Sequence, residues 1–100
     1  MSQSKKEREY QSDLIGRIKR RFPDCKVLKN DSGYTQGIPD LSVFWKSHWA
    51  YLEVKESKDA KHQPNQDYYI DWARENSFGS FIYPENEEDV LNDMERSFQT

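Results

Sequence analysis

Residues 37–55 constrain the fold more than any other stretch, because Gly37-Ile38-Pro39-Asp40 leads into two strands joined by a short polar tip. Leu41, Val43 and Trp45 alternate with Asp40, Ser42 and Phe44, and Leu52 and Val54 alternate with Tyr51, Glu53 and Lys55. Both halves therefore show the period of two expected of half-buried strands. Lys46 and Ser47 lie at the tip between them. Folding the chain there as an antiparallel hairpin places Asp40 opposite Glu53, and strand alternation puts Glu53 and Lys55 on one face with Val54 pointing away. Two carboxylates and an ammonium converge on one spot.

Carboxylates brought side by side repel, and a shared proton or cation is what normally keeps them together. Two carboxylates, completed by waters and a substrate phosphate, form an oxygen shell of the kind magnesium accepts. A lysine beside such a shell can orient or deprotonate an attacking water, or neutralise charge that builds in the transition state. The chemistry suggested is phosphodiester hydrolysis. The plainer reading makes Asp40 a turn cap after Pro39, and Glu53 and Lys55 an ordinary charged strand face. Glu-x-Lys triplets are common, so it is the hairpin register that favours a site.

A chain of 100 residues is one domain with room for a single core. Apolar residues make up only 34% of it and aromatics 14%, which predicts a small core rich in Trp, Tyr and Phe. No apolar run approaches the roughly 20 residues of a membrane span. The first residues, Met1-Ser2-Gln3-Ser4-Lys5-Lys6, lack the apolar block of a signal peptide. The expectation is a soluble, cytoplasmic protein without membrane contact. Cys25 is the single cysteine, which excludes an internal disulfide and a cysteine-based zinc site and predicts a buried or inert thiol.

The net charge of −3 hides a division. Residues 1–30 carry nine Lys/Arg against four Asp/Glu, and residues 31–100 carry six against fourteen. A basic segment can neutralise phosphates within an acidic protein, because screening confines its effect to about 10 Å. On charge alone a solvated helix face is the better reading.

That segment predicts a helix from about Lys5 to Arg21, with an apolar stripe through Tyr10, Leu14, Ile15, Ile18 and Phe22 and a stop at Pro23. Glu7 and Gln11 fall on the stripe and Glu9 almost opposite, so Glu7 is an acid on the buried face or a first-turn acid favoured by the helix dipole. Arg17, Arg20 and Arg21 gather toward the C-terminal end, where cations suit the dipole and could meet a phosphate backbone. Lys29 closes a short strand, residues 25–29. A loop then leads through Tyr34, which could stack on a base, to Gly37 and Asp40. Gln63-Pro64-Asn65-Gln66 opens a second helix whose core-facing stripe runs Gln66, Tyr69, Ile70, Ala73. Gln66 is either an uncommitted N-terminal residue or a hydrogen-bonding neighbour of the Glu53–Lys55 strand. Phe78-Gly79 reads as a turn before a strand at residues 80–83, and Asn86 as the cap of a last helix with Val90, Leu91 and Met94 on its apolar side. His48 and His62 read as surface residues.

Taken together, Glu7-x-x-Tyr10-Gln11, Gly37-Ile38-Pro39-Asp40-Leu41, Leu52-Glu53-Val54-Lys55 and Gln63-Pro64-Asn65-Gln66 resemble, in order and spacing, the PD-(D/E)xK nucleases. Within them the chain is most similar to the small stand-alone VRR-NUC domains of bacteriophages, over nearly its whole length. The resemblance implies an α/β fold with a restriction-endonuclease-like core, a small mixed sheet flanked by helices in the order α-β-β-β-α-β-α. It implies metal-dependent DNA cleavage that leaves 5′-phosphate ends. Asp40 and Glu53 would bind magnesium or manganese with the carbonyl of Val54, and Glu7 would reach the metal directly or through water, Glu9 being the other candidate. Lys55 would position or activate water, and Gln66 would assist. Arg17, Arg20, Arg21, Lys29 and Tyr34 would contact nucleic acid. A homodimer acting on flapped or four-way branched DNA is the implied assembly. An inactive DNA-binding module of the same fold and an RNA nuclease are the alternatives.

Overall fold

The computed structural model describes residues 3–100. Its elements follow as α1 (Lys5–Arg21), β1 (Lys26–Lys29), β2 (Leu41–Trp45), β3 (His48–Val54), α2 (Pro64–Asn76), β4 (Phe78–Ile82) and α3 (Glu87–Phe98). This is the element order the sequence predicts. β2 and β3 form the hairpin, with Leu41 paired to Leu52 and Trp45 to His48, and Lys46 at φ 57° turns the tip. β1 joins β2 antiparallel and β4 joins β3 parallel, giving a mixed sheet in the order β1-β2-β3-β4 with α2 as the β3–β4 crossover. No described helix is long and apolar enough to cross a membrane.

Strand alternation divides the sheet into two unlike faces. One presents Leu41, Val43, Ala50, Leu52, Val54 and Ile82, which pack with Leu14, Ile18 and Phe22 of α1 and with Val90, Leu91, Met94 and Phe98 of α3. The opposite face carries Trp49, Tyr51, Glu53 and Lys55, and α2 lies against its β3–β4 half. α1 begins where Ser4 accepts the N–H of Glu7, an N-cap, and ends where Phe22 N–H closes on Ile18 before Pro23.

Four expectations change. The core is aliphatic rather than aromatic, with Phe22 and Phe98 the buried aromatics. Trp49 and Tyr51 alternate onto the other face and cluster there with Trp72 of α2. β4 starts at Phe78, not Ser80, because Gly79 is pressed beneath α2: a Cβ on it would lie 2.7 Å from the Cβ of Ala73 and 2.8 Å from the carbonyl of Ile70. Asn86 precedes α3 without capping it through its side chain; its amide accepts from Tyr83 N–H and donates to the carbonyl of Phe81, tying the β4–α3 turn.

Arg17 and Arg21 are the fourth change. Arg17 makes a two-pronged pair with Glu87 at 2.6 and 2.9 Å, and Tyr10 donates to the same carboxylate at 2.9 Å. Arg21 donates to Glu95 at 2.8 Å and to Asn92. Both guanidiniums clasp α1 to α3 instead of standing free for a phosphate backbone. Burial raises the carboxyl of Glu87, but the hydrogen bonds from Arg17 and Tyr10 outweigh it and hold the group below its usual range. The same hydrogen bond to Glu87 raises the Arg17 guanidinium.

The free edge of β4 is also closed from within. Its outward carbonyls belong to Gly79 and Phe81; Arg74 donates to the first at 3.0 Å, and Asn86 and Ser80 to the second. Such plugging leaves few acceptors for a foreign strand. Cys25 is buried, and burial raises its thiol above the ordinary value.

Candidate active site

Asp40 stands one residue before β2 and Glu53 one before the end of β3, so the Leu41–Leu52 pairing brings them face to face. The contact is reciprocal. Asp40 N–H donates to Glu53 Oε1 at 3.1 Å, and Val54 N–H donates to Asp40 Oδ2 at 2.9 Å. Asn30, read from sequence only as a loop residue, anchors this strand start: its N–H donates to the carbonyl of Asp40 at 2.8 Å and its amide to Pro39 and Ser42. Gly37 lets the approach segment pass, because its φ of 85° is left-handed and a Cβ there would lie 2.2 Å from Asn65 of α2. The close approach demanded of this glycine is to the N-terminus of α2.

Glu53 is 3% exposed and Lys55 8%, both on the α2 side of the sheet. Lys55 Nζ lies 3.6 Å from Glu53 Oε2. Gln66 joins them, since its Oε1 accepts from Lys55 Nζ at 2.9 Å while its Nε2 donates to Glu53 Oε2 at 2.7 Å. The same Oε1 accepts Gln63 N–H at 3.0 Å as half of a capping box, so the start of α2 fixes the amide orientation. Gln66 is thus a hydrogen-bonding neighbour of the Glu53–Lys55 strand rather than an uncommitted N-terminal residue.

Burial and the neighbouring Asp40 together push the Glu53 carboxyl up to about 8, with Lys55 pulling the other way. Burial raises Asp40 too, against the N–H of Val54 and the charge of Lys55. Both shifts run the same way, so the pair favours a shared proton over two adjacent charges. Glu7 faces the same cleft from the first turn of α1, and desolvation followed by the charge of Asp40 raises it also. Glu9 is exposed and pairs with Lys5, so helix phase selects Glu7.

The cleft encloses about 630 Å³ between the N-terminal ends of α1 and α2 and the 31–37 loop. Lys61, which no motif flagged, lines it together with Lys55. Arg20, Lys29 and Tyr34 are exposed outside it; Tyr34 keeps 90% of its surface, and Arg20 lies on the far half of α1, about 20 Å along the helix from Glu7. His48 stacks on Phe98 and His62 on Phe81, so neither histidine belongs to the carboxylate cluster.

The donor set suits a hard divalent cation. A carboxylate pair that must otherwise hold a proton offers oxygen ligands whose repulsion a cation would remove. Among the described residues no three His, Cys, Asp or Glu side chains stand together as a metal cluster. Ligands beyond Asp40 and Glu53 would come from the Val54 carbonyl, water and Glu7, directly or through water, in keeping with the several waters magnesium retains.

No family model and no curated protein matches the sequence. Two solved structures do match the fold. One, described as a VRR_NUC domain, is 20% identical, covers 96% of this chain and 97% of its own, and superposes with a TM-score of 0.64. Another, a VRR_NUC domain protein, is 12% identical over 98% of this chain and 92% of its own, with a TM-score of 0.65. With its four-stranded mixed sheet and three helices, the chain has the α/β fold of VRR_NUC domains along nearly its whole length.

Proposed function

We propose that the protein is a metal-dependent endonuclease that hydrolyses phosphodiester bonds of DNA. The observation that carries this reading is the buried Asp40–Glu53 pair with Lys55 Nζ 3.6 Å from its Glu53 oxygen. The name of the structures that share the fold supports a nuclease. A magnesium or manganese ion held by Asp40, Glu53 and the Val54 carbonyl, with Glu7 reached directly or through water, would supply Lewis acidity toward the phosphate and a water of lowered pKa.

Lys55 does the remaining work at the reacting centre. Held between Gln66 and Glu53, its ammonium faces the cleft, where it can orient the attacking water and neutralise charge that builds in the transition state. Gln66 keeps Lys55 and Glu53 in register, because an amide in this orientation satisfies a donor on one side and an acceptor on the other. Lys61, with Arg20, Lys29 and Tyr34 outside the cleft, supplies contacts to the nucleic acid; Arg17 and Arg21 are withdrawn from that role. A homodimer acting on branched DNA in the cytoplasm completes the proposal, since two copies would offer two sites for two strands.

The test is incubation with labelled linear duplex, single-stranded, flap, four-way-junction and RNA substrates, in magnesium, manganese or EDTA. Cleavage of DNA that EDTA abolishes supports the reading, with branched substrates cut fastest. Binding without cleavage in every cation would leave a binding module, and cleavage of RNA alone would change the substrate.

A further inference from the structure

The sheet face that carries Glu53 and Lys55 is only half covered. α2 packs against β3 and β4, and on the outer side of β1 and β2 Ser42 is buried while its neighbours Leu28 and Phe44 stay exposed. On that side Phe44 is 43% exposed and Leu28 53%; Phe44 pairs with Trp49, against which Trp72 of α2, 42% exposed, is packed. Trp49 and Tyr51 lie between, alternating along β3 toward Glu53 and Lys55. The rings are mutually arranged: Trp49 stands 5.4 Å from both Tyr51 and Trp72, and Tyr51 6.3 Å from Trp72. An aromatic shelf of this size contributes nothing to the aliphatic core on the other side of the sheet.

We infer that this shelf is a base-stacking subsite for an unpaired polynucleotide strand whose phosphates run on to the Asp40–Glu53 pair. The inference rests on the nuclease reading for its direction and deepens it by naming where unpaired bases are held. Continuity is the first argument. Trp49, Tyr51, Glu53 and Lys55 occupy alternate positions along β3 and its end, so the shelf and the site share a face, about 13 Å from Trp49 to Glu53, or roughly four nucleotides at the 3.4 Å rise of a stacked strand. The chemistry is the second. Flat π-faces accept any base, and exposed indoles and phenols with a neighbouring cation form the surface that sequence-tolerant single-strand binders use. Lys26 supplies that cation, because it pairs with Phe44 and so projects on the same face, exposed. Asp71 of α2, the nearest sequence neighbour of Trp72 with the opposite charge, is met by Arg74 at 3.7 Å.

The experiment is titration of the protein in EDTA with an oligothymidylate, a duplex and an abasic oligomer of equal length, read by tryptophan fluorescence and by anisotropy of the labelled strand. The oligothymidylate should quench the indoles and bind more tightly than the abasic strand. Trp72→Ala should weaken its binding roughly 10- to 100-fold, with Phe44→Ala weaker in effect and the abasic strand indifferent to both. Equal quenching by abasic and base-bearing strands, or unchanged affinity in both variants, would overturn the subsite. So would conversion of a dimer to a monomer by Phe44→Ala with strand binding intact, which would make the shelf a contact between copies. Because the readout is binding without metal, ring-dependent binding by a protein that cleaves nothing would sink the nuclease reading alone, and cleavage with ring-independent binding would sink the subsite alone.

Discussion

Asp40 and Glu53 hold each other through backbone as well as charge: the N–H of Asp40 donates to Glu53 Oε1 at 3.1 Å, and the carboxylate of Asp40 takes the N–H of the residue after Glu53 at 2.9 Å. The hairpin thereby forces two acids into contact, and the repulsion is relieved by a proton or by a cation.

Stability of the metal-free protein should fall as pH rises from about 5 to about 8. Glu53 titrates near 8 in the folded chain against the ordinary 4.5, so between those values the native state binds more protons than the unfolded one and loses stability with rising pH. Asp40 and Glu7, also raised, act in the same direction. Glu87, held low, contributes stability that is present above its ordinary range and lost in acid. Thermal melts in EDTA across this window should show the decline, and Glu53→Gln should flatten it. A flat profile in the unsubstituted protein would mean that the pair is not strained.

Lys55→Ala should lower kcat by about 10²- to 10³-fold, the usual range for a lost donor to charge developing in the transition state, while circular dichroism and DNA affinity stay nearly unchanged. A parallel loss of affinity and rate would assign Lys55 to binding.

Arg17→Ala and Glu87→Gln should each destabilise the fold, and the double variant should lose less than their sum, because both remove one α1–α3 clasp. Coupling of about 1 kcal/mol suits a partly exposed two-pronged pair. An additive double variant, or a change in the salt dependence of DNA binding instead, would return Arg17 to the nucleic acid.

Gly79→Ala should cost about 1–3 kcal/mol, as overpacking does, since its Cβ would meet Ala73 and the Ile70 carbonyl at under 3 Å. Denaturant midpoints measure it; an unchanged midpoint would show that α2 can lift off β4.

Much of the site is legible in the sequence because it is local. A hairpin with a short tip fixes its own register, so Asp40 meets Glu53 without knowledge of anything else, and helix phase alone turns Glu7 toward the cleft. What is not legible depends on partners far along the chain. Nothing near Arg17 announces Glu87, seventy residues later. Composition counts aromatics without saying which sheet face receives them, so a core rich in Trp, Tyr and Phe is expected, whereas Trp49 and Tyr51 lie opposite the aliphatic side of β3. Phe78-Gly79 reads as a turn because glycine usually signals one, whereas here it clears room for α2.

Calorimetric titration of manganese into the protein at pH 8, beside Asp40→Asn, tests the shared-cation pair most directly. The unsubstituted protein should bind with proton release, because the cation displaces the proton that Glu53 holds near 8, and should gain about 2.7 kcal/mol of stability at a hundredfold excess over the dissociation constant. Asp40→Asn should lose the binding and melt higher than the unsubstituted chain in EDTA. Equal manganese affinity in both proteins, or no binding to either, would contradict the pair as a metal site.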